Sequence, residues 1–290
     1  MILPGILSQQ HWGYTPPPIP PAPWIGGNNI GEDIYISNVI SLLHMDNLDD
    51  IVTSNTWTVV EPDTESTYPL PIQTNQHGPD SAFISSYSDL HMEGYDNASF
   101  LKLDSYLPFS IGDLNNGDCT IEFYYKYGNN TNGFLLTANY NPNYGDPISY
   151  PPTYSYNPLS STSNLRIIHN SSGAVLLEYS WTKPNNDSLV MTGLTIPLND
   201  ITPGDWCHIA YVIKDNMITG YLDGNPVTST VDIDRIVDFI YAPGTYNEVI
   251  LCKKDPHGGL LALDEFRVTK GIARYDSVFT RPVQEFATTP

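Results

Sequence analysis

The chain has 290 residues and a formal net charge of −20, and only 15% of its residues are charged. No Lys or Arg precedes Lys102, whereas twelve Asp and Glu do, which makes nucleic acid and anionic membranes poor partners. Asn, Ser, Thr, Gly and Pro supply much of the polar remainder, and together with twenty Tyr this is typical of strands joined by turns. We expect a soluble, mostly β protein with neither a signal peptide nor a membrane span.

Residues 1–33 form a segment of distinct composition, called the arm below. Its centre, Thr15–Pro23, contains six prolines, which fix φ, remove amide donors and favour an extended polyproline II path. A solvated linker would not need apolar anchors, so we expect the arm to dock on another chain; the alternative is a plain disordered tail. The anchors are Ile2, Leu3, Ile6, Leu7, Trp12 and Trp24.

Short β runs separated by turn clusters follow from residue 34 onward. Their regular spacing predicts a sandwich or jelly roll. Asp223-Gly224 predicts a two-residue hairpin turn, Lys214–Met217 a second tight link, and Gly271–Tyr275 the best short helical turn. The predicted strands are Ile34–Ile36, Val39–Met45, Ser99–Leu103, Thr120–Tyr127, Gly133–Ala138, Leu165–His169, Ala174–Trp181, Leu189–Ile196, Trp206–Lys214, Met217–Leu222, Glu248–Leu251 and Leu260–Thr269.

Two stretches, residues 61–79 and 139–158, interrupt this pattern as loop insertions or edge loops. The second contains five tyrosines among five prolines. Tyrosine is a rigid amphipathic contact group, so this loop is a candidate contact surface for glycan or protein; equally, its tyrosines could cover an open sheet edge. The five are Tyr140, Tyr144, Tyr150, Tyr154 and Tyr156.

The cysteines and the acidic residues give no firm metal or disulfide signal. Three widely spaced cysteines, Cys119, Cys207 and Cys252, predict buried small hydrophobic residues and neither a disulfide framework nor a zinc site. An acidic surface could attract Ca²⁺ through oxygen ligands, but no motif requires a metal, so we predict no cofactor and leave calcium open. The acids to inspect are Asp46, Asp104 and Asp264; such strand-end carboxylates more often bond to neighbouring backbone.

The C-terminal block Leu263-Asp-Glu-Phe-Arg-Val-Thr-Lys-Gly-Ile-Ala-Arg-Tyr-Asp-Ser-Val-Phe-Thr-Arg-Pro282 resembles the closing signature of LamG-like, concanavalin A-like jelly-roll domains, in the version common in bacteriophage structural proteins. Blocks that fit in family order lie at 41–46, 99–104, 119–125, 206–212 and 220–224. The resemblance covers about residues 39–286. It implies an all-β, antiparallel two-sheet jelly-roll sandwich over residues 34–290, preceded by the extended Pro-rich arm.

The resemblance also implies a function in the virion. We expect a bacteriophage structural protein, a capsid decoration or tail fibre attachment module, whose arm binds other virion proteins and which forms a homo-oligomer in the particle. The alternative is a carbohydrate-binding adhesin or tail-fibre receptor-binding protein that contacts host surface glycans. The sequence leaves head or tail location, host and receptor open.

A glycoside hydrolase is the third hypothesis, because such enzymes also use concanavalin A-like folds. A retaining enzyme needs two carboxylates on one strand face at about 5 Å. The nearest match, Glu61-Pro-Asp-Thr-Glu65, has the wrong spacing and contains proline. His208 lies inside a predicted strand and is a core residue in this interpretation, while His44 and His257 show no partner spacing. We therefore expect no catalytic residues and no enzyme activity.

Overall fold

The structure is a computed structural model that describes fifteen stretches of the chain. These are residues 33–45, 48–52, 56–60, 72–74, 81–84, 100–103, 118–129, 131–140, 164–170, 172–182, 189–215, 217–232, 248–254, 260–282 and 286–288.

The described residues form strands and one short 3-10 helix, Ile36–Asn38. No helix of this described part is long and apolar enough to cross a membrane. The strands are β1 (Val39–Leu43), β2 (Thr58–Val60), β3 (Ile72–Thr74), β4 (Ser81–Ile84), β5 (Phe100–Leu103), β6 (Cys119–Tyr127), β7 (Gly133–Tyr140), β8 (Asn164–Asn170), β9 (Ala174–Thr182), β10 (Leu189–Pro197), β11 (Trp206–Lys214), β12 (Met217–Leu222), β13 (Asn225–Asp232), β14 (Glu248–Lys254) and β15 (Leu261–Lys270).

Two antiparallel sheets face one another. The eight-stranded sheet has the order β13-β12-β11-β6-β15-β4-β3, with β1 also paired to β15, and the seven-stranded sheet has the order β10-β9-β8-β7-β14-β5-β2. Crossovers between non-consecutive strands place β6 between β11 and β15 at the centre of the larger sheet. This confirms the predicted all-β, two-sheet jelly-roll sandwich of the concanavalin A-like kind.

The main core lies between the sheets, and side-chain alternation along the strands builds it. Ile121, Phe123 and Tyr125 of β6 enter this core together with Ile167 and Leu177 of the opposite sheet. In β11, residues of both alternating sets are buried, which is typical of a strand that lies between two packed layers. The second face of β6 and β11 must therefore be covered by something other than the opposite sheet.

The three cysteines are free and buried, as predicted. Cys207 donates to the carbonyl of Tyr125 at 3.5 Å, and Cys252 donates to the carbonyl of Leu261 at 3.6 Å. Burial, assisted by the charge of Asp118, raises the pKa of Cys119 to about 12. These thiols are packing groups of the core.

The turns confirm two predictions and overturn two. Leu222 pairs with Asn225 across the Asp223-Gly224 hairpin, and Lys214 pairs with Met217. The predicted strand Ile34–Ile36 is wrong, because Asp33 accepts the amide hydrogens of Tyr35 and Ile36 and turns the chain. The predicted helical turn at Gly271–Tyr275 is also wrong, since this segment runs without a helix over the sheet.

Four strands were not predicted: β2, β3, β4 and β13. Three of them are edge strands, which are short or polar and often carry proline, as β13 does at Pro226. The strand β3 lies inside the predicted insertion at residues 61–79, whose other residues lie outside the described part. Within the second insertion, residues 139–140 end β7, and 141–158 lie outside the described residues.

A polar contact between two side chains joins the sheets across the core. The hydroxyl of Tyr125 on β6 lies within hydrogen-bonding distance of Nδ1 of His169 on β8, and the ring of Tyr127 lies 4.9 Å from the imidazole. Burial lowers the pKa of His169 to about 4 and raises that of Tyr125 well above its usual range. The neutral phenol therefore donates to the neutral imidazole.

This contact makes the sandwich acid-sensitive. Below pH ~6.5 the unfolded chain protonates His169 while the folded chain holds it neutral down to about pH 4, so the free energy of unfolding should fall by up to about 3 kcal/mol in that window. His169→Asn keeps an acceptor for Tyr125 but has no titrating imidazole. Its free energy of unfolding, measured by urea titration at several pH values, should therefore fall by less, and the difference should be this amount. If His169→Asn and the unaltered chain lost the same free energy of unfolding over this pH window, His169 would not be a buried neutral imidazole.

Candidate functional site

The outer face of the eight-stranded sheet is covered by the chain's own C-terminal segment. Thr120, Glu122 and Tyr124 alternate along β6 with the core residues and lie on this outer face. Residues 271–282, called the strap below, cross the face and place Tyr275 and Phe279 against Ala210, Val212 and Tyr221. The strap thus supplies the second layer that the buried outer face of β11 requires.

Backbone and side-chain bonds secure the strap along its length. The amide of Gly271 donates to the carbonyl of Asp118 at 2.6 Å, and that of Phe279 donates to Gly224 at 3.0 Å. Near the end, Arg281 donates to Asp223 at 2.8 Å. The predicted Asp-Gly hairpin is therefore also the platform on which the strap rests.

Gly224 shows how close this approach is. Its φ is +80°, and an added Cβ would lie 1.9 Å from the carbonyl oxygen of Phe279. Any other residue here would be strained and would also push the strap away.

Beneath the strap, Glu122 collects donors from several elements. Its Oε1 accepts from Nε and Nη2 of Arg267 at 2.9 and 2.8 Å. Its Oε2 accepts from the hydroxyl of Tyr275 at 2.7 Å and from Nε2 of His208 at 3.1 Å. Strands β6, β11 and β15 and the strap therefore meet at one fully buried carboxylate.

Asp33 forms the other half of this arrangement. Its carboxylate accepts two bonds from the guanidinium of Arg274, at 3.0 and 2.8 Å, and one from Arg267 at 3.0 Å. A paired guanidinium fork on one carboxylate is a strong and directional contact. The last residue of the arm is thus bound to both β15 and the strap.

These contacts define a buried ionic network made of Asp33, Glu122, His208, Arg267, Arg274 and Tyr275. Its two carboxylates and two guanidinium groups carry equal and opposite charge, and each is at most 7% exposed. Burial alone would raise the pKa of Glu122, but Arg267, His208 and Arg274 outweigh it and hold this pKa below its usual range. Each buried charge of the network has an opposite partner, so removal of any one of them would leave an uncompensated buried charge.

His208 lies inside an aromatic enclosure under the strap. Its ring centroid is 5.1 Å from that of Tyr124, 5.8 Å from Phe279 and 6.3 Å from Phe286. The structure confirms the prediction of a core residue, since His208 is fully buried. Its Nδ1 has no partner among the described residues, and its Nε2 bonds to Glu122 instead of facing a cleft.

A third carboxylate, outside the network, holds the residues that follow the strap. Glu265, in a bulge of β15 with φ +50°, lies 2.8 Å from Nδ1 of His44 and accepts the amide hydrogen of Phe286 at 2.7 Å. The guanidinium of Arg267 lies 3.8 Å from the Phe286 ring centroid. This partner of His44 was not predicted from the sequence, because 221 residues separate His44 from Glu265.

Most of the predicted contact residues lie outside the described part of the chain. This applies to the arm anchors Ile2, Leu3, Ile6, Leu7, Trp12 and Trp24, to Tyr144, Tyr150, Tyr154 and Tyr156, and to Asp46 and Asp104. Tyr140 is the last residue of β7. Asp264 is buried, and its carboxylate accepts the amide hydrogen of Glu265 at 2.8 Å, which is the backbone role expected of it. The described residues contain no group of three or more His, Cys, Asp or Glu that could hold a metal ion.

The comparisons with known proteins bear on the fold. No family model matches the sequence, and no curated protein matches it. Among solved structures, a mutant of HCR D/C VPI 5995 is similar with a TM-score of 0.52, 12% identity, and coverage of 83% of this chain and 50% of that one.

A second similar structure is that of botulinum neurotoxin type C, which depends on interaction with two ganglioside molecules to enter cells. It has a TM-score of 0.50 and 12% identity, covering 81% of this chain and 48% of that one. The chain therefore spans about half the length of these solved structures. At such low identity the likeness concerns the fold alone, and it agrees with the jelly-roll architecture.

Removal of one charge should show how much the buried ionic network contributes to the stability of the fold. Glu122→Gln leaves two buried guanidinium groups opposite a single carboxylate, so we expect the free energy of unfolding to fall by about 3 to 5 kcal/mol. Asp276→Asn is the matched control, because Asp276 is half-exposed and lies 3.7 Å from Lys214; it should change stability by less than about 1 kcal/mol. Urea unfolding at pH 7 measures both. Equal effects of the two variants would contradict a balanced network of buried charges.

Proposed function

We propose that the chain is a non-enzymatic structural module of a bacteriophage virion, attached by its arm and displaying the jelly roll as a decoration or attachment domain. The observation that carries the proposal is the position of Asp33. This last arm residue is ion-paired to β15 and to the strap, so the arm departs from one defined point of the domain. A rigid departure point suits a segment whose apolar anchors dock on another chain.

The absence of catalysis is part of the same proposal. Glu122 and Asp33 are each bound by guanidinium groups and are closed off from solvent by the strap. A general acid or a nucleophilic carboxylate must reach its substrate. Carboxylates bound in this way support a structural role for this face of the sheet, and the resemblance of the C-terminal block to phage structural proteins supports the virion setting.

The docking role predicts a difference in assembly. The full chain should sediment as an oligomer or bind particle proteins, whereas a form lacking residues 1–32, which retains Asp33, should be a stable monomer in analytical ultracentrifugation. Replacing Leu7, Trp12 and Trp24 with Ser in the full chain should mimic the deletion, because docking depends on apolar burial. The matched control replaces Gln9 and Gln10 with Ser and should assemble normally. Identical monomers in all four forms would contradict docking between copies of the chain.

A second candidate function is glycan binding through the tyrosine-rich segment. The strands β7 and β8 are neighbours in the interior of the seven-stranded sheet, and residues 141–163 connect them from Tyr140 to Asn164. The segment's five tyrosines, from Tyr140 to Tyr156, are rigid amphipathic groups that can stack on sugar rings. The gangliosides of the similar neurotoxin structure suggest acidic glycans as probes.

This candidate predicts binding that depends on tyrosine rings. On a glycan array that includes gangliosides, Tyr150→Ala together with Tyr154→Ala should reduce binding at least about tenfold, since stacking groups contribute on the order of 1 kcal/mol each. Near-ultraviolet circular dichroism should show an intact fold. Phe in place of the same tyrosines keeps the rings and is the matched control. No binding by the unaltered chain, with or without Ca²⁺, would refute this candidate.

A further inference from the structure

The last residue of the arm, Asp33, binds the strap directly within the buried ionic network. Asp33 accepts two hydrogen bonds from Arg274 of the strap. The residues after Asp33, here called the root (34–38), depend on the same carboxylate, because the amide of Tyr35 donates to its Oδ1 at 2.9 Å. The guanidinium of Arg274 also lies 5.6 Å from the Tyr35 ring centroid.

The strap depends on Arg274 in turn. The amide of Arg274 donates to the Thr120 hydroxyl at 3.0 Å, and its Nε donates to the Thr269 hydroxyl at 2.5 Å. The next residue, Tyr275, stacks on Phe279 with a centroid distance of 3.6 Å and donates to Glu122. The side chain of Arg274 thus joins the root to the first half of the strap.

Charge balance makes these contacts interdependent. If the root detached with Asp33, two buried guanidinium groups would face only Glu122. If the strap detached with Arg274, two buried carboxylates would face only Arg267. Either event leaves an uncompensated buried charge, which is far more costly than the loss of a surface pair. Partial opening is therefore disfavoured, and the two segments should open together.

We propose that Asp33 is a positioning residue that couples the root of the arm to the strap, so that the two segments form a single latch on the outer face of the eight-stranded sheet. The use of this latch rests on the proposed docking role of the arm, whereas the coupling itself does not. A docked arm would then hold the domain with its strap-covered face toward the support. The seven-stranded sheet would face away from it.

Hydrogen exchange on the full chain tests the coupling. The reporters are the amides of Ile36 and Asn38 in the root, which donate to Asp33 and Tyr35, and of Phe279 in the strap, which donates to Gly224. In Asp33→Asn, all three should exchange at least about tenfold faster than in the unaltered chain, relative to amides of Ile167 and Leu177 in the opposite sheet. The exposed Asp205 supplies the control variant Asp205→Asn, which should change none of these rates.

A second variant tests the reverse direction and remains informative if Asp33→Asn does not fold. Arg281 binds Asp223 and the carbonyl of Trp206 at the far end of the strap, so Arg281→Gln loosens the strap without touching Asp33. The latch predicts faster exchange at Ile36 as well as at Phe279. Acceleration confined to Phe279 in Arg281→Gln, or to the root in Asp33→Asn, would overturn the coupling. Both measurements use the isolated chain, so a failure of the arm to dock would leave their outcome unaffected.

Discussion

The pairing of two buried carboxylates with two buried guanidinium groups is the interaction on which the outer face of the large sheet depends. Glu122 stands in the middle of the central strand β6, where an unpaired charge would be intolerable, and Arg267 enters from the neighbouring strand β15. Asp33 and Arg274 bring in two segments that belong to neither sheet. On this face the fold thus combines charge balance with the apolar packing of the strap.

The strap follows from this arrangement. A polar network can be buried only if something excludes water from it, and the strap does so with the rings of Tyr275 and Phe279, while Phe286 covers the Arg267 guanidinium. The Asp223-Gly224 turn accepts the strap because glycine leaves room for the carbonyl of Phe279. Local turn chemistry, aromatic packing and long-range ion pairing are consistent with one another here.

The sequence predicted those features that local pattern controls. Short β runs between turn clusters predicted β6 and β11, and the Asp-Gly pair predicted the hairpin, because strand and turn preferences act over a few residues. The network was not predicted, since Asp33 and Arg274 are 241 residues apart and a strand pattern gives no information on such a distance. Glu122 was the available signal, as a carboxylate inside an apolar strand requires a partner. The C-terminal block marked Arg267 and Arg274 by its resemblance, but it could not identify what they bind.

The buried cysteines have a consequence for the protein's chemistry. Cys119 and Cys207 lie in the large sheet and Cys252 in the small one, all closed off from solvent, and burial raises the pKa of Cys119 and of Cys207 above the ordinary range. The thiolate that an oxidant or an alkylating reagent attacks is therefore scarce in the folded chain. A change from a reducing to an oxidising medium should leave the sandwich unaltered. Alkylation of these cysteines would therefore require the two sheets to separate. Because the modification is covalent and irreversible, modified molecules would accumulate with every such opening of the sandwich.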